Sequence, residues 1–314
     1  MAFTPLSVVV SANPHGKLAV WEPVRRDRVY IAGVEIGTLA SNIAVYRDDL
    51  ARARGAVREP IDWYRYDILA NLVHLDLLLS GENRELDQLV DGLPVADIGG
   101  ADGDLAFVLE RACGWKVDMI DTAAANANGL RAARALRDQL GSTVAVWDID
   151  LDAQFRLPAE RYGLVLLLGI LYHLQNPFYV LRALSEQSEH LLLSTRVARF
   201  AGPNRTSIGE LPLAYLVDPT ETNNDPTNYW MFSPAGLDRL VRRAGWTILD
   251  QLSVGDVEQS DPSSPEHDER RFLLLRSTRP APAGGASVRP ASRSAGHRAR
   301  VSRALRAALA GRRT

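Results

Sequence analysis

Cysteine, signal-like segments and long apolar runs are scarce or missing in this 314-residue chain, and each absence excludes a class of protein. Cys113 is the only cysteine, which excludes an internal disulfide and any zinc or iron–sulfur site built from several thiolates. No apolar run reaches the roughly 18 residues that a membrane-spanning helix requires. The first residues carry no basic segment ahead of their short apolar patch, unlike a secretory signal. We therefore expect a cytoplasmic protein, and we assign no metal ligands.

Lysine is also scarce, with only Lys17 and Lys116, and positive charge is concentrated near the C-terminus. Residues 281–314 hold eight arginines and no acidic residue, whereas the whole chain has a net charge of −2. Residues 1–280 therefore carry a net charge of about −10. Nucleic-acid-binding surfaces are normally basic because they neutralise phosphates. The acidic body thus disfavours a nucleic-acid partner, and residues 281–314 are predicted to be a disordered basic tail.

From about residue 94 onward, short β-like runs alternate with helical stretches. Strands are predicted at 94–98, 116–121, 143–148, 162–168, 190–196, 246–253 and 271–277. This alternation is typical of an α/β fold with a doubly wound, mostly parallel sheet of seven strands. A polar loop without a helix separates the last two runs, so the seventh strand is predicted to pair antiparallel with the sixth.

Three segments are predicted along the chain. Residues 1–60 form an N-terminal cap or lid of short strands and a polar helix, residues 61–280 the α/β domain, and residues 281–314 the tail. A further helix is predicted over residues 63–79, at the start of the α/β domain. Trp63, Tyr64 and Tyr66 open this helix, where they either cover a bound cofactor or belong to the core.

The first predicted strand ends in a glycine-rich turn, VADIGGADGD, at residues 95–104. Small residues at Gly99, Ala101 and Gly103 allow the backbone to approach a ligand closely. A dinucleotide-binding turn would have glycine at positions 101 and 104, where this chain has alanine and aspartate. A carboxylate at Asp104 would repel a pyrophosphate at the helix N-terminus. The turn, with Asp97 beside it, therefore favours a phosphate-free, positively charged cofactor such as S-adenosylmethionine.

The ends of the next strands add residues that suit the same cofactor. Asp121 ends the second strand, 18 residues beyond Gly103, where a carboxylate can accept from both ribose hydroxyls. Thr122 follows it. Asp148 ends the third strand and is predicted to accept from the adenine amino group, with Ile149 beside the ring. Gly169 begins the loop after the fourth strand, at the same edge of the sheet.

With these residues at the strand ends, residues 60–280 resemble the class I S-adenosylmethionine-dependent methyltransferases. The predicted antiparallel last strand is also a feature of that family. Two stretches, GILYHLQNP at 169–177 and NYWMFSPAGLDRLVRRAGW at 228–246, look more narrowly like one bacterial family. That family contains the tRNA wobble-uridine carboxymethyl- and methyltransferases and related small-molecule O-methyltransferases. The resemblance implies an enzyme that uses S-adenosylmethionine.

The loop after the fourth strand holds the two candidate catalytic residues. His173 is a candidate general base because of its position and its ordinary pKa. The alternative is a histidine that bonds to the backbone and holds the loop. Tyr172 resembles the tyrosine that contacts the transferred carboxymethyl group in the wobble-uridine enzymes, or else it is a buried aromatic that supports the loop. The chain has no counterpart of that family's basic N-terminal motif, which favours unmodified S-adenosylmethionine as the donor.

Four residues are candidates for binding the methyl acceptor. Asn228, Tyr229 and Trp230 precede a helix that begins at Ser233 and Pro234. They are predicted either to line the acceptor pocket or to pack as a strand-to-helix corner. Arg196 ends the fifth strand, where it either faces the acceptor or pairs with a surface acid.

Three functions remain open at this point. The first is O-methylation of a small molecule such as a sugar or a secondary metabolite, which the acidic body favours. The second is alkylation of the tRNA wobble uridine. The third is a protein that binds the cofactor without catalysing transfer.

Overall fold

The computed structural model describes residues 33–222, 225–263 and 265–279. The short strands predicted before residue 33 and the predicted tail at 281–314 lie outside the described residues. No helix in the described ranges is long and apolar enough to cross a membrane.

The described ranges contain eight α-helices and eleven strands. The helices are α1 (Ile36–Ser41), α2 (Ile43–Ala56), α3 (Asn71–Leu78), α4 (Leu86–Val90), α5 (Asp104–Cys113), α6 (Arg131–Leu140), α7 (Pro177–Gln187) and α8 (Pro234–Arg243). The strands are β1 (Val95–Ile98), β2 (Val117–Asp121), β3 (Ala145–Asp148), β4 (Tyr162–Leu168), β5 (Ser188–Val197), β6 (Phe200–Ala201), β7 (Thr206–Ser207), β8 (Ala214–Leu216), β9 (Trp230–Phe232), β10 (Trp246–Gly255) and β11 (Glu269–Ser277).

One mixed sheet forms the centre of the fold, with the strand order β10-β11-β5-β4-β1-β2-β3. Strands β1 to β5 run parallel to one another, whereas β11 is antiparallel to both β5 and β10. The seven predicted strands and the antiparallel end of the sheet are therefore confirmed. The sheet also includes β8 and β9, which the sequence did not predict because three residues are too short to show an alternating pattern.

Both faces of the sheet are covered, as the continuous apolar run of β4 predicts. Leu164 and Leu166 face a core formed with residues of α1 to α6. Val165 and Leu167 face a second core formed with residues of α7 and α8. Alternate residues of a strand point to opposite faces, so the same alternation decides which core each residue of β5 and β11 meets.

The N-terminal helices dock on the helix that follows the glycine turn. Arg54 of α2 donates to both carboxylate oxygens of Asp104 at 2.6 Å, and its guanidinium lies 5.3 Å from the centre of the Trp63 ring. Asp104 is the first residue of α5, so this ion pair joins the cap to the turn. A carboxylate in the first turn also suits the positive end of the helix dipole.

The helix predicted from residue 63 begins later than expected. Residues 63–67 are irregular, a short 3₁₀ turn covers Ile68–Ala70, and α3 follows. The backbone N–H of Tyr64 donates to Asp102 Oδ2 at 2.7 Å, which holds this segment against the glycine turn in a non-helical conformation. Tyr64 and Tyr66 therefore lie in a loop, with their ring centres 5.4 Å apart.

Candidate active site

The turn between β1 and α5 adopts the backbone conformation that its glycines predict. Gly99, Ala101 and Gly103 have φ angles of 71°, 51° and 88°. A Cβ atom at Gly103 would also lie 2.6 Å from the Phe107 ring, so position 103 excludes a side chain for two reasons. Ala101 adopts the left-handed conformation without being glycine, and its N–H donates to Asp121 Oδ2 at 3.2 Å. That hydrogen bond holds the turn against the end of β2.

Asp97 lies at the end of β1 with a carboxylate oxygen that lacks a protein partner. The residue is 4% exposed, and its Oδ2 is buried with no hydrogen bond among the described residues. Burial, followed by the negative charge of Asp121, raises the pKa of Asp97 to about 7. A buried, unpaired carboxylate is costly unless a cation or a donor meets it. The ammonium group of S-adenosylmethionine would supply both, so this position fits the predicted cofactor.

Asp121 is held at the end of β2 by three donors. Its Oδ2 accepts from the N–H of Ala101 and from Asn126 Nδ2 at 3.0 Å, and its Oδ1 accepts from the N–H of Thr122 at 2.8 Å. Burial raises the pKa of this carboxyl group. A carboxylate has about four lone-pair sites, so one site stays open for a ribose hydroxyl.

Asn126 is a residue of this site that the sequence did not single out. Its amide nitrogen donates to Asp121 Oδ2 and to the carbonyl oxygen of Ala101, each at 3.0 Å. It therefore bridges the end of β2 and the glycine turn. The only sequence signal was its position, five residues after a strand that ends in aspartate.

Asp148 and Ile149 reach the same edge of the sheet from β3. Asp121 and Asp148 are directly paired in the parallel register of β2 and β3. Asp148 is exposed, and its Oδ1 accepts from the N–H of Ala123 at 2.9 Å. Ile149 is half-buried, and its N–H donates to the carbonyl oxygen of Asp121 at 2.9 Å. The structure thus brings the predicted adenine-binding residues beside the predicted ribose-binding residue.

The loop after β4 places Gly169 and Tyr172 beside an arginine that the sequence did not identify. A Cβ atom at Gly169, where φ is 76°, would lie 3.5 Å from Arg270 Nη1 and 3.7 Å from Tyr172 Oη. The guanidinium and the phenol therefore border the same small space. Ile170 lies over the glycine turn, where its Cδ1 would overlap a Cβ atom at Gly99. This contact joins the loop to the predicted cofactor site.

His173 is held by the segment before β9. Its Nδ1 lies 3.1 Å from the carbonyl oxygen of Thr227 and 2.9 Å from Thr227 Oγ1. Thr227 Oγ1 in turn donates to Asp225 Oδ1 at 2.6 Å, so both groups near Nδ1 act as acceptors. This network assigns the proton to Nδ1 and leaves the lone pair on Nε2. Burial lowers the pKa of His173, which keeps the ring neutral near pH 7.

The predicted acceptor residues lie around this loop with different partners. Asn228 is buried, and its Nδ2 donates to the carbonyl oxygen of Thr222 at 3.2 Å. The N–H of Tyr229 donates to the carbonyl oxygen of Tyr172 at 2.8 Å. Trp230 begins β9 and is half-buried, as Tyr229 is. The segment is therefore joined to the loop through Tyr229, while the Asn228 side chain bonds within its own segment.

Arg196 forms an ion pair with an acidic residue, which is one of the two arrangements predicted for it. Its side chain is 6% exposed, and its Nε lies 2.5 Å from Asp268 Oδ1. The Asp268 side chain is 40% exposed. The positive charge of Arg196 is therefore balanced within the protein.

The chain matches a known family and is similar to several solved structures. A family profile described as a methyltransferase domain matches residues 71–251, which is more than half of the chain. Similar solved structures include the N-terminal domain of EvdMO1 with SAH bound (16% identity, 74% of this chain and 96% of that chain, TM-score 0.47). Another is the [4+2]-cyclase SpnF (14% identity, 78% of this chain and 96% of that chain, TM-score 0.48). No curated protein sequence matches the chain.

Proposed function

Because the chain belongs to the class I S-adenosylmethionine-dependent methyltransferases, we propose that it methylates a hydroxyl group of a small molecule, such as a sugar or a secondary metabolite. The observation that carries the proposal is His173, a neutral histidine on the loop beside the glycine turn. Its Nε2 has no partner among the described residues. A hydroxyl acceptor needs a base of this kind near the transition state.

The residues that would hold the cofactor come from three neighbouring strand ends. Asp97 would pair with the ammonium group, Asp121 would accept from the ribose, and Asp148 with Ile149 would meet the adenine. Thr122, Gly99, Ala101, Gly103 and Gly169 would provide the close backbone surface. When bound, S-adenosylmethionine supplies a methyl group activated by its sulfonium for in-line displacement.

His173 would act on the proton of the acceptor. Nε2 would take the hydroxyl proton as the acceptor oxygen receives the methyl group that the cofactor would supply, with the sulfonium becoming a neutral thioether. Thr227 holds the imidazole through Nδ1 during this transfer. Most of the remaining contribution is alignment of the acceptor oxygen with the methyl group.

Calorimetric titration tests the proposal directly. The full-length protein is titrated with S-adenosylmethionine and, in a matched experiment at physiological salt, with tRNA. Cofactor binding without tRNA binding supports a small-molecule acceptor. Tight tRNA binding that weakens steeply with salt would instead favour wobble-uridine alkylation. Cofactor binding with no transfer to any hydroxylated acceptor or tRNA would favour a non-catalytic protein.

A further inference from the structure

The tripeptide Asp-Pro-Thr occurs twice between β8 and β9, at residues 218–220 and 225–227. In each copy the Oδ1 atom of the aspartate accepts from the N–H and from the hydroxyl of the threonine two positions later. These distances are 3.0 and 2.7 Å for Asp218, and 2.9 and 2.6 Å for Asp225. Aspartate before proline commonly starts a turn of this kind, so the local geometry of both copies follows from the sequence.

The two copies differ in what the threonine hydroxyl meets. Thr227 Oγ1 lies 2.9 Å from Nδ1 of His173, the candidate base. By contrast, no histidine that the structure describes bonds to Thr220. The second copy therefore joins a carboxylate to the candidate base, whereas the first copy forms only a turn.

The Thr227 hydroxyl connects the carboxylate of Asp225 to the imidazole. A hydroxyl group has one proton, and Thr227 donates that proton to Asp225. Its oxygen can therefore only accept from Nδ1 of His173. Burial opposes ionisation of Asp225, but the two hydrogen bonds from Thr227 outweigh this effect and lower the pKa of Asp225. A negative charge is thus present on the Nδ1 side of the ring at neutral pH.

Two charged groups act on the His173 ring with opposite effects. Burial is the largest influence and lowers the pKa of His173. The carbonyl oxygen of Thr227 and the charge of Asp225 raise this pKa, whereas Arg270 on β11 lowers it. The Tyr172 ring lies 4.3 Å from the imidazole, and burial raises its pKa, so it stays uncharged near neutral pH. Asp225 is thus the negative charge that favours a protonated His173.

We propose that Asp225 is a positioning residue: acting through Thr227, it orients the imidazole of His173 and stabilises the imidazolium that forms when Nε2 takes the acceptor's proton. The inference rests on the proposed function, because it concerns the base of that same site. The proton on Nδ1 stays in place, the ring gains one positive charge, and Asp225 remains ionised and balances it. In Ser-His-Asp triads a carboxylate acts on its histidine in the same way without becoming protonated.

The test measures the tautomer and the pKa of His173 in the full-length protein, by heteronuclear NMR of the imidazole nitrogens. The chain has six histidines, and His173→Gln identifies the relevant signal. In the wild-type protein we expect the neutral ring to carry its proton on Nδ1. Asp225→Asn should keep this tautomer, because the amide oxygen can still accept from Thr227. It should shift the pKa of His173 downward, because the negative charge is lost.

Asp218→Asn is the matched control, because it removes the same charge from the same kind of turn. The pKa of His173 should stay at its wild-type value in this variant. The inference is overturned if Asp225→Asn leaves the pKa of His173 unchanged, or if Asp218→Asn lowers it equally. It is also overturned if the neutral ring of the wild-type protein carries its proton on Nε2.

Calorimetric titration with S-adenosylmethionine separates this inference from the function on which it rests. If the wild-type protein fails to bind the cofactor, the proposed function fails, and the role of Asp225 fails with it. If the cofactor binds normally but the pKa of His173 does not respond to Asp225→Asn, only the role of Asp225 fails. Unchanged cofactor affinity in Asp225→Asn and Asp218→Asn also shows that both variants are folded.

Discussion

The two halves of the sheet's ligand-binding edge carry opposite unpaired charge. The ends of β1, β2 and β3 present Asp97, Asp121 and Asp148, and Asp97 lacks a protein partner for Oδ2. The adjoining half, formed by β4, β5 and β11, presents His173 and the unpaired Arg270. The candidate donor and acceptor sites therefore differ in electrostatics although they share one edge of the sheet.

The largest expected effect is on the acceptor half. Replacing His173 with alanine removes the base, so we expect the single-turnover rate to fall about 100-fold or more. Cofactor affinity should change little, because His173 belongs to the other half of the edge. Because burial lowers the pKa of His173, the wild-type rate should be independent of pH above neutrality. An undiminished rate in the variant across pH would remove His173 as the base.

On the cofactor half, Asp121→Ala should weaken S-adenosylmethionine binding about 100-fold. The change removes a charged hydrogen-bond acceptor, and each hydrogen bond to a charged group contributes about 1.5–3 kcal/mol to the binding free energy. It also releases the N–H of Ala101 and the amide of Asn126. Calorimetry measures the loss, with the exposed Asp138→Ala as the control. Unchanged affinity in Asp121→Ala would contradict the site assignment.

The pKa of Asp97 should make cofactor affinity and protein stability respond to pH in opposite directions. Its carboxyl group, with a pKa of about 7, must be ionised to hold an ammonium group. Affinity should therefore fall about tenfold for each pH unit below 7. In contrast, its folded pKa lies above its unfolded value, so the stability it contributes at low pH is lost as pH rises through 7.

Asp97→Asn should remove both trends. The asparagine does not titrate, so the unliganded variant should melt at a higher temperature than the wild-type protein at pH 8, while it binds the cofactor weakly. Calorimetry and thermal melting between pH 5 and pH 8 measure the two quantities. A wild-type affinity that stays constant over this range would show that Asp97 does not hold the ammonium group.

The smallest expected effect concerns the turn that forms the cofactor half. Gly103→Ala should destabilise the protein by about 1–2 kcal/mol, because an L-residue is strained in the left-handed conformation. The added Cβ would also meet the Phe107 ring. Gly55→Ala is the matched control, since Gly55 lies in α2 with no atom within 4 Å of its added Cβ. The control should be stabilised by about 0.5–1 kcal/mol in chemical denaturation. Equal effects at both positions would contradict the special role of the turn.

The cofactor half was largely predictable from the sequence. In a parallel sheet all carboxyl ends lie at one edge, so three strands that end in Asp97, Asp121 and Asp148 bring these residues together without further information. Asn126 was not predicted, because its role depends on how the loop after β2 folds back onto the turn. The loop at residues 63–67 was not predicted either, because its conformation depends on a hydrogen bond from Tyr64 to a residue 38 positions away.

The sequence by itself determined the strand order along the chain, the glycine turn and the carboxylates that follow successive strands, because these features are local and periodic. Which residues meet in the acceptor half was decided only by the tertiary structure. Arg270 reaches it because β11 runs antiparallel, so the start of this strand lies at the edge where β4 and β5 end. Neighbouring residues of a strand face opposite sides, and a shift of one residue would exchange them. That register turns Arg271 toward Asp238 and Arg270 toward Gly169 of the loop after β4.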